Sequence, residues 1–254
     1  MHRFYLPPAA AAGNCLRLSD AEAHHALHVV RVRIGERVIV MDGAGRELLC
    51  EVTGTGRHHV DLALLQSTNL PRLPYRITLI QAIAKARSMD LIIQKATELG
   101  AARIVPILSE RSVVRPDAEE SERVVDKWRT VAIEALKQCG APWLPEIDAP
   151  RSPSDFLDQS PRFSLMLLAS LQPGARHPRE CLDTARSDPS KPPRDVAVWV
   201  GPEGDFTPAE LQRIQSAGAL AITLGPLVLR SETAAVYCLS FLSYELQAEQ
   251  ETQS

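Results

Sequence analysis

From Tyr75 onward, the sequence alternates between short apolar runs and stretches whose apolar residues recur at helical spacing. Helical spacing is clear over Met89–Leu99, which ends before Gly100, and over Val124–Ala135, which ends before Gly140. The apolar runs are Arg76–Ala84, Arg103–Leu108, Ser164–Ala169, Val196–Val200 and Ala221–Leu224. Buried strands that alternate with helices are typical of a mostly parallel sheet covered by helices. The sequence therefore predicts an α/β domain over residues 73–254.

The first 72 residues have a different pattern, which predicts a small and mostly β domain. A turn signal, Asp42-Gly43, follows the first of three alternating strand-like runs. These runs are Arg37–Met41, Glu47–Val52 and Val60–Leu65. Ser19 and Glu22 have the spacing of a capping box and predict a short helix before the strands. Two prolines in the segment 69–74 disfavour helix and central strand, so we expect a linker there.

Composition excludes several classes of protein. The chain has 254 residues, 45% of them hydrophobic, which is enough for one large domain or for a large and a small one. No apolar run reaches the length of a membrane span, and the first residues do not form a secretory signal. The five cysteines are scattered without a Cys-x-x-Cys pair, which favours a reduced, cytoplasmic protein. The net charge of -3 does not exclude nucleic acid, because a local basic face can still bind phosphate.

The first candidate site is the turn Gly201-Pro202-Glu203-Gly204, which directly follows an apolar strand. Thr207, Pro208 and Glu210 then supply an N-cap, a first helical residue and a capping box. Ligands of open α/β sheets bind at the carboxyl ends of strands, and glycine lets the backbone approach a ligand closely. A ligand-binding loop and a plain tight turn both fit this pattern.

The second candidate site repeats that arrangement, with Leu224-Gly225-Pro226 between a strand and a helix for which Ser231 is the predicted N-cap. Arg230 precedes the helix, where the helix dipole disfavours a cation, so it is either a ligand contact or a surface arginine. The helix Glu232–Leu246 is apolar on nearly every side, which predicts burial in a core or at a subunit interface.

Together these segments resemble the RsmE family of 16S ribosomal RNA uridine-N3 methyltransferases, which belong to the SPOUT class. The resemblance extends over almost the whole chain. Its further segments are Met1–Phe4, His25–Arg31 with Gly35 and Asp42-Gly43, Lys85–Asp90, Gln94–Gly100, Ser109–Ser112 and Gln138–Gly140.

The resemblance implies a trefoil-knotted, parallel-sheet domain over residues 73–254 and a PUA-like β-barrel that binds RNA over residues 1–72. It implies S-adenosylmethionine as the cofactor and 16S ribosomal RNA or the small ribosomal subunit as the partner. The expected activity is methylation of N3 of a specific uridine by a cytoplasmic enzyme, without a metal and without a membrane. The apolar last helix adds the expectation of a homodimer.

The resemblance also implies roles for individual residues. Arg230 and Glu232 are the expected catalytic residues: a cation at Arg230 would stabilise the charge on a deprotonated uracil, and Glu232 is either the general base or a residue that only complements the helix start. The expected cofactor contacts are Leu168, Ala169, Gly201, Pro202, Glu203, Gly204, Leu224, Gly225, Pro226, Val228, Leu229, Thr233 and Ala234. The expected RNA contacts are Arg3, His25, Arg31, Arg33, Lys85, Arg87 and Arg111.

Two of these RNA contacts also stand out in the sequence pattern. Arg31 and Arg33 alternate with apolar residues, as in a strand with one solvated face that could bind phosphate. His24 and His28 have the i, i+4 spacing of two zinc ligands, but the sequence offers no Cys or carboxylate nearby to complete a site, which favours packing or RNA contact.

Three positions depart from the family pattern. Asp205 stands where the family has glycine, and Leu227 and Ala141 stand where it has arginine. We expect these changes to affect cofactor and RNA contacts rather than the fold. They keep open an alternative, a non-catalytic RNA-binding protein of the same fold. An unrelated nucleotide-dependent enzyme is disfavoured, because the sequence has neither Gly-x-Gly-x-x-Gly after the first strand nor a Walker lysine.

Overall fold

A computed structural model describes residues 1–112, 116–159, 162–188 and 192–251. The chain forms two compact units. The first contains Met1–Arg72 and Ile133–Leu144, and the second contains Leu73–Ala132 and the chain from Pro145 onward. The sequence pattern predicts residues 133–144 in the larger domain, so their grouping with the first unit is a difference from that expectation.

The first unit contains five strands and one short helix. Their bounds are β1 Arg3–Tyr5, β2 Cys15–Leu18, α1 Asp20–His24, β3 Arg37–Met41, β4 Arg46–Thr55 and β5 Val60–Asn69. The strands form one mixed sheet in the order β1-β3-β4-β5-β2, in which only the β1–β3 pair is parallel. The three predicted strands are therefore confirmed. β1 and β2 were not predicted, because three or four residues are too few for a pattern of alternation to be recognised.

The predicted capping box at the start of α1 is wrong. The Ser19 side chain makes no cap hydrogen bond, and its hydroxyl donates instead to Asp20 Oδ2 at 3.0 Å. The Glu22 carboxylate accepts from the backbone N–H of Tyr5 at 3.0 Å and from Lys137 Nζ at 2.6 Å. Lys137 is only 6% exposed, and a buried ammonium group requires a charged partner. This long-range ion pair takes the carboxylate that a local capping box would use.

After His24 the chain continues as a π-helical segment, His25–Val30. Arg31 ends this segment with a backbone φ of 61°, in the left-handed region. The strand predicted around Arg31 and Arg33 is therefore wrong, although both side chains are exposed as expected.

The second unit alternates strands and helices. Their bounds are β6 Arg76–Ala82, α2 Ala86–Glu98, β7 Arg103–Ile107, α3 Ala118–Cys139, β8 Glu146–Ile147, α4 Pro153–Asp158, β9 Leu165–Ala169, α5 Pro178–Ala185, β10 Asp195–Val200, α6 Pro208–Ser216, β11 Leu220–Ile222 and α7 Ser231–Glu251. Helix α3 contributes residues to both units. The strands form a six-stranded sheet in the order β11-β9-β10-β6-β7-β8, and every pair is parallel. The predicted parallel sheet is confirmed.

Successive side chains of the central strands point to opposite faces of this sheet. On one face, Ile80 and Trp199 pack with Phe156 of α4 and Ile214 of α6. On the other face, α7 contacts α2, β6 and β10. The nearly continuous apolar sequence of the strands follows from this burial on both sides.

One predicted loop contains a helix. The segment 149–161 was expected to be irregular because of its prolines, but Pro153 begins α4, where its missing N–H is no disadvantage. Ser152 and Asp155 form a capping box there. The predicted loops at 149–161 and 188–193 also include residues 160–161 and 189–191, which lie outside the described residues. No helix in the described part of the chain has the length and apolar character needed to cross a membrane.

Candidate functional site

The carboxyl ends of β9, β10 and β11 lie side by side, because these parallel strands are neighbours in the sheet. The loops that follow them, 170–177, 201–207 and 223–230, line a cavity of about 390 Å³. This volume falls in the range of cavities that hold small molecules, and the carboxyl edge of an open α/β sheet is the usual place for them.

Ten of the thirteen expected cofactor contacts line this cavity. They are Ala169, Gly201, Pro202, Glu203, Leu224, Gly225, Pro226, Val228, Leu229 and Ala234. The structure thus brings together two loops that are separated by about twenty residues in the sequence. The contacts themselves stay predictions.

The other three expected contacts lie outside the lining. Leu168 is fully buried in the core beneath the sheet edge, where it packs with Trp199. Gly204 turns its carbonyl group toward Arg111, whose Nη1 donates to it at 2.8 Å. Thr233 is exposed on α7, and its neighbour Ala234 is the helix residue that lines the cavity.

The loop after β9 is a part of the site that the sequence did not reveal. Ser170, Leu171, Gln172, Gly174 and Ala175 all line the cavity. The predicted strand at 164–169 was the sequence feature that could have revealed this loop, because the carboxyl ends of all parallel strands meet at one edge of the sheet. What the sequence could not provide was the strand order that makes β9 the neighbour of both β10 and β11.

Ser231 connects the cavity loops to the centre of the sheet. Its hydroxyl donates to the carbonyl oxygen of Gly201 at 2.9 Å and accepts from Nε2 of the buried Gln81 at 2.9 Å. The prediction that Ser231 caps α7 is wrong, because Ser231 is the first helical residue and the carbonyl oxygen of Arg230 accepts from the Ala234 N–H. The hydroxyl therefore fixes the loop after β10 to the beginning of α7.

A second network holds the loop 201–207 from its other end. Thr207 and Glu210 form the predicted capping box of α6, which is confirmed. The Glu210 carboxylate also accepts from Ser109 Oγ at 3.1 Å and from the Glu110 N–H at 2.9 Å, in the segment after β7. The loop is thus fixed before the arrival of any ligand, which reduces the entropy lost on binding.

The charged side chains that line the cavity are negative. The lining includes two carboxylates, Glu203 and Asp205, and its described residues include no lysine, arginine or histidine. Asp205 adopts a φ of 60°, and its Oδ1 accepts from the Phe206 N–H at 2.7 Å. Its Oδ2 accepts from Gln172 Nε2 at 3.4 Å. The cavity therefore suits a ligand with positive charge.

The two expected catalytic residues border the cavity without lining it. Arg230 follows the lining residue Leu229, and its side chain is exposed. Within the described ranges, its guanidinium forms neither a hydrogen bond nor an ion pair, so it is available to a substrate. Glu232 is half-buried in the first turn of α7.

The expected RNA contacts of the second unit lie after the carboxyl ends of β6 and β7, at the same edge of the sheet as the cavity. Lys85 and Arg87 are exposed at the beginning of α2. Arg111 is exposed in the segment after β7, where it also supports Gly204. The three cations therefore lie along the same edge of the sheet as the cavity.

The expected RNA contacts of the first unit divide into two kinds. Arg31 and Arg33 are exposed. His25 packs edge-on against Phe4, with ring centroids 6.0 Å apart, and the Arg3 guanidinium lies against Gly140 and donates to the Gln138 carbonyl oxygen at 3.4 Å. For His25 and Arg3 these contacts indicate a structural contribution.

Comparison with known proteins agrees with this geometry. The RNA methyltransferase domain family matches residues 71–243, and the RNA methyltransferase PUA domain family matches residues 18–65. Ribosomal RNA small subunit methyltransferase E from Aquifex aeolicus is 31% identical, over 95% of this chain and 99% of its own. Its namesake from Bacillus subtilis is 29% identical, over 91% and 90%.

Two solved structures are similar over nearly their whole length. A putative methyltransferase from Legionella pneumophila, in complex with bound S-adenosylmethionine, has a TM-score of 0.85 and 32% identity, with 97% of each chain covered. The small subunit methyltransferase E from Neisseria gonorrhoeae, bound to S-adenosylmethionine, has a TM-score of 0.83 and 31% identity, over 96% of this chain and 97% of the other.

Proposed function

Because this chain belongs to the RNA methyltransferase family, we propose that it transfers a methyl group from S-adenosylmethionine to N3 of a uridine in 16S ribosomal RNA. The observation that carries the proposal is the cavity at the carboxyl edge of β9, β10 and β11. Its size and its negative lining fit a cofactor that carries positive charge. Two similar structures, each covering at least 96% of this chain, hold that cofactor.

The cavity residues bind and orient the cofactor. S-adenosylmethionine supplies an electrophilic methyl group, because its carbon is bonded to a positively charged sulfur. The glycines and prolines of the loops present backbone groups to the ligand at close range, and the apolar side chains exclude water. Holding two reactants in line supplies much of the rate enhancement in such a displacement.

Arg230 stabilises the reacting base. Uracil N3 becomes a nucleophile only when it loses its proton, and negative charge then spreads to the neighbouring carbonyl oxygens. A cation positioned near those oxygens lowers the barrier. Arg230 is suited to this role because it borders the cavity and its side chain is exposed. Glu232, in the first turn of α7, complements the helix dipole and is the candidate acceptor of the N3 proton.

RNA binds to both units in this proposal. Residues 1–72 form the RNA-binding domain, with Arg31 and Arg33 as exposed phosphate contacts. The second unit, which contains residues 73–132 and the chain from Pro145 onward, is the catalytic domain, in which Lys85, Arg87 and Arg111 bind the RNA near the cavity. The target uridine must be unpaired or turned out of its helix to reach the cofactor. The proposed natural substrate is the small ribosomal subunit or its RNA, and for that reason we expect the enzyme in the cytoplasm.

We also propose a homodimer with α7 at its interface. Helix α7 exposes Tyr237 and Tyr244, which are 49% and 74% accessible. In the loop before it, Leu227 and Val228 are 73% and 78% accessible. Tyr237 and Tyr244 share one face of α7 because they are seven positions apart, and large exposed side chains of this kind favour burial against a second copy, for which a two-fold axis is the commonest arrangement.

The decisive experiment is methylation of small ribosomal subunits from a bacterial strain that lacks the native enzyme. The purified protein and S-adenosylmethionine are added, and the modified nucleoside is located by mass spectrometry of RNA fragments. We expect one N3-methyluridine in 16S ribosomal RNA. A different methylated nucleoside would refute the proposed specificity. Cofactor binding without methylation of subunits or naked RNA would favour the non-catalytic alternative.

A further inference from the structure

The charge of the cavity has a consequence for cofactor and product. Asp205 and Glu203 are the lining residues that carry charge, and both are negative. Within the described part of the chain, neither forms an ion pair. The partners of the Asp205 carboxylate are neutral: the backbone N–H of Phe206 and the side-chain amide of Gln172. Among the described residues, no side-chain cation pairs directly with either carboxylate, and the nearby Arg111 guanidinium donates to the backbone carbonyl of Gly204 instead.

Methyl transfer changes the charge of the ligand in this cavity. One C–S bond breaks and one N3–C bond forms, while the bonding electron pair stays on sulfur and the N3 proton is released. The sulfur of S-adenosylmethionine is a positively charged sulfonium, whereas that of S-adenosylhomocysteine is a neutral thioether. Apart from the transferred methyl group the two ligands are alike, so a carboxylate in the lining can distinguish them through this charge.

Asp205 is also unusual in its backbone conformation. A φ of 60° is costly for residues other than glycine, although aspartate and asparagine tolerate it better than most. Glycine is the residue that the family pattern has at this position. A strained residue at the wall of a ligand cavity is a sign of functional constraint. The strain at position 205 therefore indicates that the aspartate side chain has a role in ligand binding.

We propose that the Asp205 carboxylate, assisted by Glu203, is a specificity determinant that makes the cavity prefer the sulfonium donor over the thioether product. The preference weakens product binding as soon as the charge has left the sulfur. S-adenosylhomocysteine then dissociates, and S-adenosylmethionine takes its place even when product and donor compete for the same cavity. The inference rests on the proposed use of S-adenosylmethionine and goes beyond it, because it assigns a role to a residue in which this chain differs from its family pattern.

Calorimetric titration of the full-length protein tests this role without any turnover. The ligands are S-adenosylmethionine, S-adenosylhomocysteine and the analogue in which a carbon bearing a protonated amine replaces the sulfonium. Asp205→Asn retains the shape of the side chain and tolerates the same φ, but it removes the charge. We expect it to weaken both cationic ligands by about two- to fivefold, the range for a partly exposed charge pair. The affinity for S-adenosylhomocysteine should stay within measurement error.

Two further variants complete the test. Comparing Asp205→Gly with Asp205→Asn separates the effect of charge from that of backbone strain, and Asp183→Asn is the control for the loss of a carboxylate elsewhere. Asp205→Gly relieves the strain and also removes the charge, so it should reduce the donor-to-product preference as Asp205→Asn does. Asp183→Asn removes an exposed carboxylate on α5, outside the cavity lining, and should leave all three affinities unchanged. Thermal melting of each variant verifies that it is folded.

The outcomes are distinct. A loss of preference in both Asp205 variants supports the inference. Equal effects on donor and product, or an effect in Asp205→Gly alone, overturn it and leave the proposed function intact. Failure of the wild-type protein to bind S-adenosylmethionine overturns both.

Discussion

At the scale of single residues, the cavity depends on side chains that bind other parts of the protein. Ser231 is an example, because its hydroxyl connects Gly201 and Gln81, which lie in different strand–loop segments. The sequence predicted only a local role for it, as a helix cap. Glu22 shows the same limit, because its partner Lys137 is 115 positions away. A capping motif is a local signal, and it fails where a distant residue makes the stronger interaction.

Arg230 provides the residue-scale prediction. If its guanidinium stabilises charge on the uracil, Arg230→Ala should lower kcat by about 100-fold, as the loss of one such group does in other enzymes. The affinity for S-adenosylmethionine should change little, since the side chain does not line the cavity. Single-turnover methylation and calorimetry measure the two quantities separately.

Two control variants accompany this prediction. Arg230→Lys should recover part of the activity, because it restores a positive charge. Arg213→Ala removes an arginine on α6 that pairs with Asp158, and it should leave kcat unchanged. An unchanged kcat in Arg230→Ala, or an equal loss of cofactor affinity, would exclude the proposed role.

At the scale of elements, the long buried strands could be predicted and the short elements could not. β6, β7, β9 and β10 are nearly continuous apolar runs, so their sequence reveals burial on both faces. β8 contains two residues, and α4 is hidden in a segment whose prolines indicated a loop. The two loops with glycine-proline motifs were recognised as candidate sites. The loop after β9 has no such motif, and only the strand order places it at the cavity.

Helix α7 carries the prediction for this scale. Tyr244 is 74% exposed in the single chain, so Tyr244→Glu costs the isolated subunit little stability. If α7 forms the dimer interface, the introduced charge has to be buried, and the dimer should dissociate. Light scattering during size-exclusion chromatography should then give half the mass of the wild-type particle.

A matched substitution tests whether any added charge has this effect. Val29→Glu changes an exposed apolar residue of the first unit, 65% accessible, and should leave the particle mass unchanged. A dimer that persists in Tyr244→Glu, or a wild-type protein that is monomeric, would contradict the assignment of the interface to α7.

At the scale of the whole molecule, each of the two units is compact but consists of two separate segments of the sequence. Residues 133–144 return to the first unit after the chain has entered the second. Sequence patterns indicate a domain boundary where one element ends and a linker begins, and α3 continues without a break across residues 132 and 133. The boundary at the linker 69–74 could therefore be predicted, whereas the return could not. The trefoil knot that the resemblance implies stays a prediction.

Lys137 supplies the prediction for the whole molecule. Its ammonium is 6% exposed and pairs with Glu22 at 2.6 Å and Glu134 at 2.7 Å. Lys137→Met retains the volume but leaves the Glu22 carboxylate, 16% exposed, without its cation. We expect a loss of about 3 kcal/mol in the free energy of unfolding of the first unit. Denaturant titration monitored by fluorescence measures it, and Trp143 in that unit contributes to the signal.

A surface pair gives the comparison for this variant. Lys127→Met removes the partner of Asp90, but Lys127 is 53% exposed, so the loss should remain below about 1 kcal/mol. Equal losses in the two variants would show that the buried pair does not hold residues 133–144 in the first unit.

The connection between Ser231 and Gly201 also sets an order of events during protein synthesis. The cavity lining extends from Ala169 to Ala234, and the loop after β10 is fixed to the beginning of α7 only when Ser231 is in place. A growing chain can complete the strands β6 to β10 before Ser231 has been made, but it has no assembled cavity at that stage. Cofactor should therefore not associate with the nascent protein until synthesis has passed Ala234. Products of premature termination before that point would be unable to compete for the cellular methyl donor.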